Sequence, residues 1–204
     1  TGEEVKHRIA YKSPYEQWKE SEGLPTYRGL FVKNLYELEL APWRTTGEGL
    51  AAFLNLDGTG GFNDAYVAEI PPGKSFKAHR HLFEETMYIL KGRGATSIWI
   101  QPDKKETFEW QEGGYFSIPM NACHEHHNAS GFEAARYIAM TSAPRVIDTF
   151  NNYEFVFDNP FIFRDRYNGE EGYFKQSAPA QQWSTNFIAD VRACQMFSCG
   201  FVRG

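Results

Sequence analysis

Three histidines and a glutamate in this chain have types and spacing that could bind a metal: His79, His81 and Glu85 in one stretch and His124 in another. The first stretch reads Gly73-Lys-Ser-Phe-Lys-Ala-His79-Arg-His81-Leu-Phe-Glu84-Glu85 and continues to Gly92. The second runs from Gly113 through Pro119 and Asn121 to His124-Glu-His126-His127-Asn128. Side chains alternate faces along a strand, so His79 and His81 point the same way, and Glu85 joins them if the extended run continues. His124 arrives from a separate strand. Neutral imidazoles with one carboxylate form a borderline-hard donor set that suits Fe, Mn, Ni, Cu or Zn. Four such ligands on an octahedral-preferring ion leave about two positions for reactants. The chemistry open to the site is therefore Lewis-acid, redox or both.

The neighbours of these residues are sorted by the same alternation. Glu84 competes for the carboxylate role but falls on the face opposite His81, so Glu85 is preferred. His126 shares a face with His124 and is the candidate catalytic residue, as a hydrogen-bond partner of the site or a general acid–base; the competing reading is a surface histidine at a strand end. His127 and Glu125 are expected to face away from the metal. Cys123 should also point away, into packing. Arg80, Arg93 and Arg136 are candidates for holding a substrate carboxylate, and of these Arg136, on a core strand, is the one expected to be able to face inward.

The elements that must carry these residues are short strands. Expected strands cover Gly47 to Leu56, Ala65 to Ile70, Thr86 to Lys91, Ala95 to Ile100, Glu106 to Trp110, Tyr115 to Ile118, His124 to Asn128 and Ala134 to Met140. They are punctuated by Gly- and Pro-rich turns such as Pro71-Pro72-Gly73, Gly92-Arg-Gly94 and Pro102-Asp-Lys-Lys105. That rhythm indicates a sandwich or barrel. Ahead of them, Ser13-Pro14 and Gly23 bracket a short helix. Behind them, Asp148 to Arg166 carries Phe150, Tyr153, Phe155, Phe157, Phe161 and Phe163, too apolar a run for a free tail. It is expected to wrap the barrel or to pack on a partner subunit.

The two histidine stretches resemble the paired signature motifs of the cupin superfamily. The first motif, Gly-x5-His-x-His-x3-Glu-x6-Gly, is met by Gly73, His79, His81, Glu85 and Gly92. The second, Gly-x5-Pro-x-Gly-x2-His-x3-Asn, is met by Gly113, Pro119, His124 and Asn128, with Asn121 where the family usually has Gly. Asn tolerates the left-handed turn conformation, so the departure is mild. The resemblance implies an all-β fold, an antiparallel jelly-roll (cupin) barrel with N- and C-terminal extensions, in which His79, His81, Glu85 and His124 are the metal ligands. The expected organisation is an N-terminal arm and outer strands over 1–62, a barrel core over 63–141 and a C-terminal extension over 142–204. The stretch from Trp183 to Val191 resembles the segment that leads into the second barrel of gentisate-type dioxygenases. No second set of motifs follows in the sequence, so the chain reads as half of such an architecture or as a single-barrel relative.

Composition bounds the function. The net charge of −5 and the absence of a basic cluster argue against a nucleic-acid surface. Cys123, Cys194 and Cys199 include no Cys-x-x-Cys and no even framework. No apolar run approaches the ~18 residues of a membrane span, and no signal-peptide core opens the sequence, so a cytoplasmic setting is the expectation. Aromatic residues, with 17 Phe, 11 Tyr and 5 Trp, fit barrel strands and would also fit an aromatic-walled pocket. The resemblance covers dioxygenases, oxalate-degrading enzymes, isomerases and lyases. Because an Fe(II) site of nitrogen and oxygen ligands can be oxidised, the expectation is a metal-dependent oxidoreductase, a dioxygenase acting on a small aromatic or oxygenated organic acid. The expected cofactor is one divalent transition metal, Fe(II) first, with Mn, Ni, Zn or Cu as alternatives. The competing readings are a non-redox isomerase, lyase or decarboxylase, and a non-catalytic small-molecule-binding cupin. The expected partners are a small-molecule substrate and further copies of the chain.

Overall fold

The computed structural model describes residues 12–59, 61–175 and 185–194. Helix α1 (Pro14–Glu22) starts where the sequence places it: Ser13 Oγ accepts from the Glu16 amide at 3.3 Å, Pro14 occupies the first turn, and Gly23 ends it in the left-handed conformation. Strands β1 (Thr26–Gly29), β2 (Ala41–Trp43), β3 (Gly49–Leu56) and β4 (Asp64–Ile70) follow, then β5 (Glu85–Lys91), β6 (Arg93–Trp99), β7 (Glu106–Gln111) and β8 (Tyr115–Ile118). Strands β9 (Cys123–Asn128) and β10 (Ala135–Thr141) lead into helices α2 (Ala143–Phe150) and α3 (Tyr153–Phe157), and β11 (Phe187–Ile188) closes the set.

The strands form two facing sheets. The larger runs β1-β3-β4-β10-β5-β8-β11, with β2 added on β3; the smaller runs β7-β6-β9. This is the expected jelly roll, with one difference: β1 lies parallel to β3, in register Thr26↔Phe53. Parallel neighbours need a long crossover, and here the arm that carries β2 supplies it. Between the sheets lies a core of Phe53, Ile70, Met87, Ile89, Ile98, Phe116 and Tyr137. On β9 the alternation is strict: His124, His126 and Asn128 are buried, while Cys123, Glu125 and His127 are half-buried on the other face.

Two turn positions show why the chain reverses as it does. Gly92 has φ 85°, and a Cβ there would fall 2.9 Å from the Ala134 carbonyl oxygen and from Ala135 Cα. Asn121 adopts φ 60°, so it does replace the motif's Gly in the left-handed region. It also adds something Gly lacks. Its Nδ2 donates to the carbonyls of Asn159 (2.9 Å) and Phe161 (2.7 Å), tying the C-terminal segment to the site's turn.

Four expectations are corrected. The run from His79 to Glu85 is not one strand: His79 makes a single bridge to His124, and bends at Leu82 and Phe83 separate His81 from β5. Arg136 does not face inward; it lies on the outer face, bound to Glu69 at 2.8 Å and to carbonyls of Leu35 and Tyr36 in the N-terminal arm. His126 is not a surface residue but is 1% exposed. Cys123 is half-buried rather than packed in the interior. The aromatic segment after β10 splits between roles. Val156 and Phe157 pack on the body of the protein, whereas Phe150, Phe155 and Phe161 remain exposed. Cys199 and Trp183 lie outside the described residues.

Candidate metal centre

The bridge between His79 and His124 is made by a mutual pair of backbone hydrogen bonds, 3.0 and 2.9 Å long. It sets the two imidazoles side by side, their ring centres 4.2 Å apart. His81 sits two residues further on, its ring stacked on Phe83 at 3.8 Å and edge-on to His124 at 5.2 Å. One nitrogen from each of the three lies within 4.8 Å of the other two.

Each ring is oriented by the same device. Nδ1 of His79 lies 2.9 Å from the Lys77 carbonyl, Nδ1 of His81 lies 3.0 Å from that of Phe83, and Nδ1 of His124 lies 3.0 Å from that of Ala122. A carbonyl only accepts, so each Nδ1 carries the hydrogen and each neutral Nε2 keeps its lone pair. This is the second-sphere arrangement that prepares imidazoles for a metal. Burial, followed by the neighbouring histidines, holds His79 below and His124 well below the usual imidazole pKa. Both are therefore neutral near pH 7, the form a metal ion requires.

Glu85 opens β5 just after the bend and is 2% exposed, whereas Glu84 is exposed. Its Oε2 lies 3.2 Å from His81 Nε2 and 3.7 Å from His124 Nε2. Burial works to raise its pKa, but its close contacts with the His81 ring and the Tyr66 hydroxyl prevail and hold it at about 2. A carboxylate oxygen facing the lone pairs of neutral imidazoles is repulsive unless a cation or a proton sits between them. Neighbouring ligands on one ion at metal–ligand distances of roughly 2.1 Å are about 3 Å apart, so these separations fit a shared ion. The donor set of three imidazoles and a carboxylate therefore suits a divalent transition metal. His79, His81 and His124 form the group that could hold it; Glu85 stands against two of the three.

Above the cluster a cavity of about 450 Å³ opens, lined among others by Tyr15, Trp18, Trp43, Phe83 and Phe157. Its roof comes from both ends of the described chain. Tyr15 and Trp18 belong to α1, and Phe157 to α3, with Trp18 and Phe157 stacked at 5.5 Å. The two ends are tied by the Tyr15 amide donating to Asp148 (2.7 Å) and the Tyr153 hydroxyl donating to the Pro14 carbonyl (3.0 Å). Beneath α1, buried Asp64 accepts from the Tyr15 hydroxyl at 2.7 Å and lies 3.7 Å from the buried Lys19 ammonium. Lys77 and Arg80 stand on the lining, Arg80 paired with Asp158 at 2.6 Å. Glu22, another lining residue, accepts from Trp43 Nε1 and Thr45 Oγ1.

Sequence spacing did not single out Tyr66, whose hydroxyl donates to Glu85 Oε1 in a short hydrogen bond. Burial and the Glu85 charge raise its pKa well above the ordinary phenol value, so it remains a donor. Nor did spacing single out the roof residues. Their partners lie far away in sequence; the apolar run after β10 marked Phe157 for packing but not for the cavity. Of the three arginines considered, Arg80 reaches the cavity, Arg136 binds the arm, and Arg93 is exposed at the start of β6.

Residues 66–141 match the cupin domain family. The protein carries a cupin domain. Solved structures of similar fold include an oxalate decarboxylase from Lactobacillus farciminis in a formate complex, at 21% identity and TM-score 0.45, covering 54% of this chain and 32% of that one. The cupin domain of Cnp3 from Schizosaccharomyces pombe aligns at 18% identity and TM-score 0.45, over 58% of this chain and 77% of that one. Vicilin from hazelnut (Corylus avellana) aligns at 17% identity and TM-score 0.43, over 50% of this chain and 29% of that one. The match thus spans about a third of the oxalate decarboxylase chain. A fold does not by itself fix a reaction, so the reaction must be argued from the site. Among the described residues no helix is long and apolar enough to cross a membrane.

Proposed function

We propose that this protein is a metal-dependent oxidoreductase of the dioxygenase type, acting on a small aromatic or oxygenated organic acid. The observation that carries the reading is the set of three Nε2 lone pairs, each oriented by a backbone carbonyl, converging beside Glu85 under an aromatic cavity. His79, His81, His124 and Glu85 would hold the metal. Bound there, a divalent ion would supply Lewis acidity and, as Fe(II), one-electron chemistry with dioxygen.

The chain's own residues supply the rest. Trp18, Trp43, Phe83 and Phe157 give flat apolar walls that suit an aromatic ring. Lys77 and Arg80 place positive charge on the same lining, where a substrate carboxylate would be steered. The Tyr66 hydroxyl occupies Glu85 Oε1, which leaves Oε2 as the oxygen turned toward the imidazoles. The aromatic side chains of α1 and α3 line part of the cavity with apolar surface.

The test is oxygen uptake by protein reconstituted anaerobically with Fe(II), screened against aromatic and oxygenated acids. Uptake stoichiometric with one acid, stopped by a chelator or by zinc replacement, is the expected result. Anaerobic conversion of a substrate by the Mn or Zn form, with no uptake by the Fe(II) form, would replace this reading with a non-redox one.

A further inference from the structure

His126 lies one alternation along β9 from His124 and has the opposite chemistry. Its ring centre is 5.4 Å from that of His124 and 6.2 Å from that of His79. It contributes no nitrogen to the close group formed by His79, His81 and His124. Its Nδ1 meets no carbonyl; it lies 2.8 Å from Thr96 Oγ1, directly across the β6·β9 pairing.

A count of hydrogens decides what that contact is. Trp110 Nε1 also bonds Thr96 Oγ1, at 2.9 Å, and an indole nitrogen can only donate. Thr96 is fully buried, and these are its two side-chain partners. If Thr96 also accepted from His126, its own hydrogen would have no acceptor in the core. The Trp110 and Thr96 hydrogens and the His126 Nδ1 lone pair are all matched when Trp110 donates to Thr96 and Thr96 donates to His126 Nδ1. The local packing makes room for this chain: a Cβ on Gly94 would fall 2.3 Å from the Trp110 ring.

With Nδ1 accepting, neutral His126 carries its hydrogen on Nε2, the reverse of the three rings beside it. That Nε2 is buried and has no hydrogen-bond partner in the protein.

We propose that the Trp110–Thr96 chain fixes His126 as an Nε2–H donor, which hydrogen-bonds an oxygen of the ligand bound beside the three-histidine cluster rather than binding the metal itself. Thr96 is the positioning residue; His126 is the group that meets the ligand. This rests on the metal-site reading only for the ligand's location, because the tautomer is a property of the metal-free protein.

The experiment is nitrogen NMR on protein labelled with ¹⁵N-histidine. Metal-free protein should show Nδ1–H for His79 and His124 and Nε2–H for His126. Thr96→Val should abolish the Nε2–H preference, and Thr96→Ser should restore it. Zinc should then shift Nε2 of His79, His81 and His124 while His126 keeps its Nε2 proton. Benzoate added to the zinc form should move the His126 Nε2–H resonance saturably, and His126→Phe should weaken benzoate binding at least tenfold with zinc content unchanged. An Nδ1–H tautomer at His126, loss of its Nε2 proton on adding zinc, or benzoate binding that leaves this resonance unmoved would each overturn the proposal. Failure of zinc to bind would instead count against the metal-site reading, with the tautomer still decided.

Discussion

Burying neutral imidazoles inside a barrel makes the metal-free protein sensitive to acid in a calculable way. Burial, with the nearby His79 next in effect, lowers the His126 pKa to about 3, and burial with its histidine neighbours takes His124 well below the ordinary value. In the unfolded chain both return to about 6.5. Below that pH the unfolded state binds more protons than the native state, so stability falls as pH falls. At pH 5 the linkage cost of His126 is about 2 kcal/mol relative to pH 7.5, and the lowered His124 and His79 add to it. Glu85 works in the same direction but in a lower pH window. Its pKa, held at about 2, stabilises the fold above the ordinary carboxylate range and loses that contribution only as pH falls below about 4.5.

The assay is urea unfolding of chelator-treated protein at pH 7.5 and pH 5.0, with His126→Gln measured beside the parent. Exposed ion pairs weaken equally in both proteins, so the difference isolates one imidazole. The variant should lose about 2 kcal/mol less than the parent, a large share of a typical stability of roughly 5–15 kcal/mol. Equal losses in the two proteins, or a flat profile in the parent, would refute the account of buried neutral rings.

The other expectations are independent of that one. His81→Ala or His124→Ala should lower metal occupancy at least tenfold by elemental analysis, and Glu84→Gln, altering an exposed side chain, should leave it unchanged. Tyr66→Phe removes the donor to Glu85 Oε1 and should weaken metal binding by about 1–3 kcal/mol in a competition titration, leaving the fold intact. Asp64→Ala strips the buried Lys19 of one of its two carboxylate partners and the Tyr15 hydroxyl of its acceptor, and should cost about 3 kcal/mol of unfolding free energy. Lys19→Met should also destabilise the fold, because it leaves the buried Asp64 carboxylate with hydrogen bonds from Tyr15 and Asn55 but no cation.

How much of this was legible in the sequence follows from the range of each interaction. Periodicity is local, and it correctly put His124 and His126 on one face of β9 and Cys123, Glu125 and His127 on the other. Caps are local too, so Ser13 and Gly23 marked α1. The motif spacing chose Glu85 over Glu84, although the reason first given for it, an unbroken strand, was not the one the structure shows. A bend at Leu82 and Phe83 brings the carboxylate to His81, and no two-residue alternation describes a bend. The tertiary structure alone decided what required distant segments to meet. Trp18 and Phe157 are brought together to roof the cavity, Tyr66 comes from β4 to hold Glu85, and Arg136 is drawn outward to Glu69 and the carbonyls of the arm. A side chain's face on an isolated strand is set by backbone geometry. Its partner across the fold is set by which surfaces bury together, and that is a property of the whole chain.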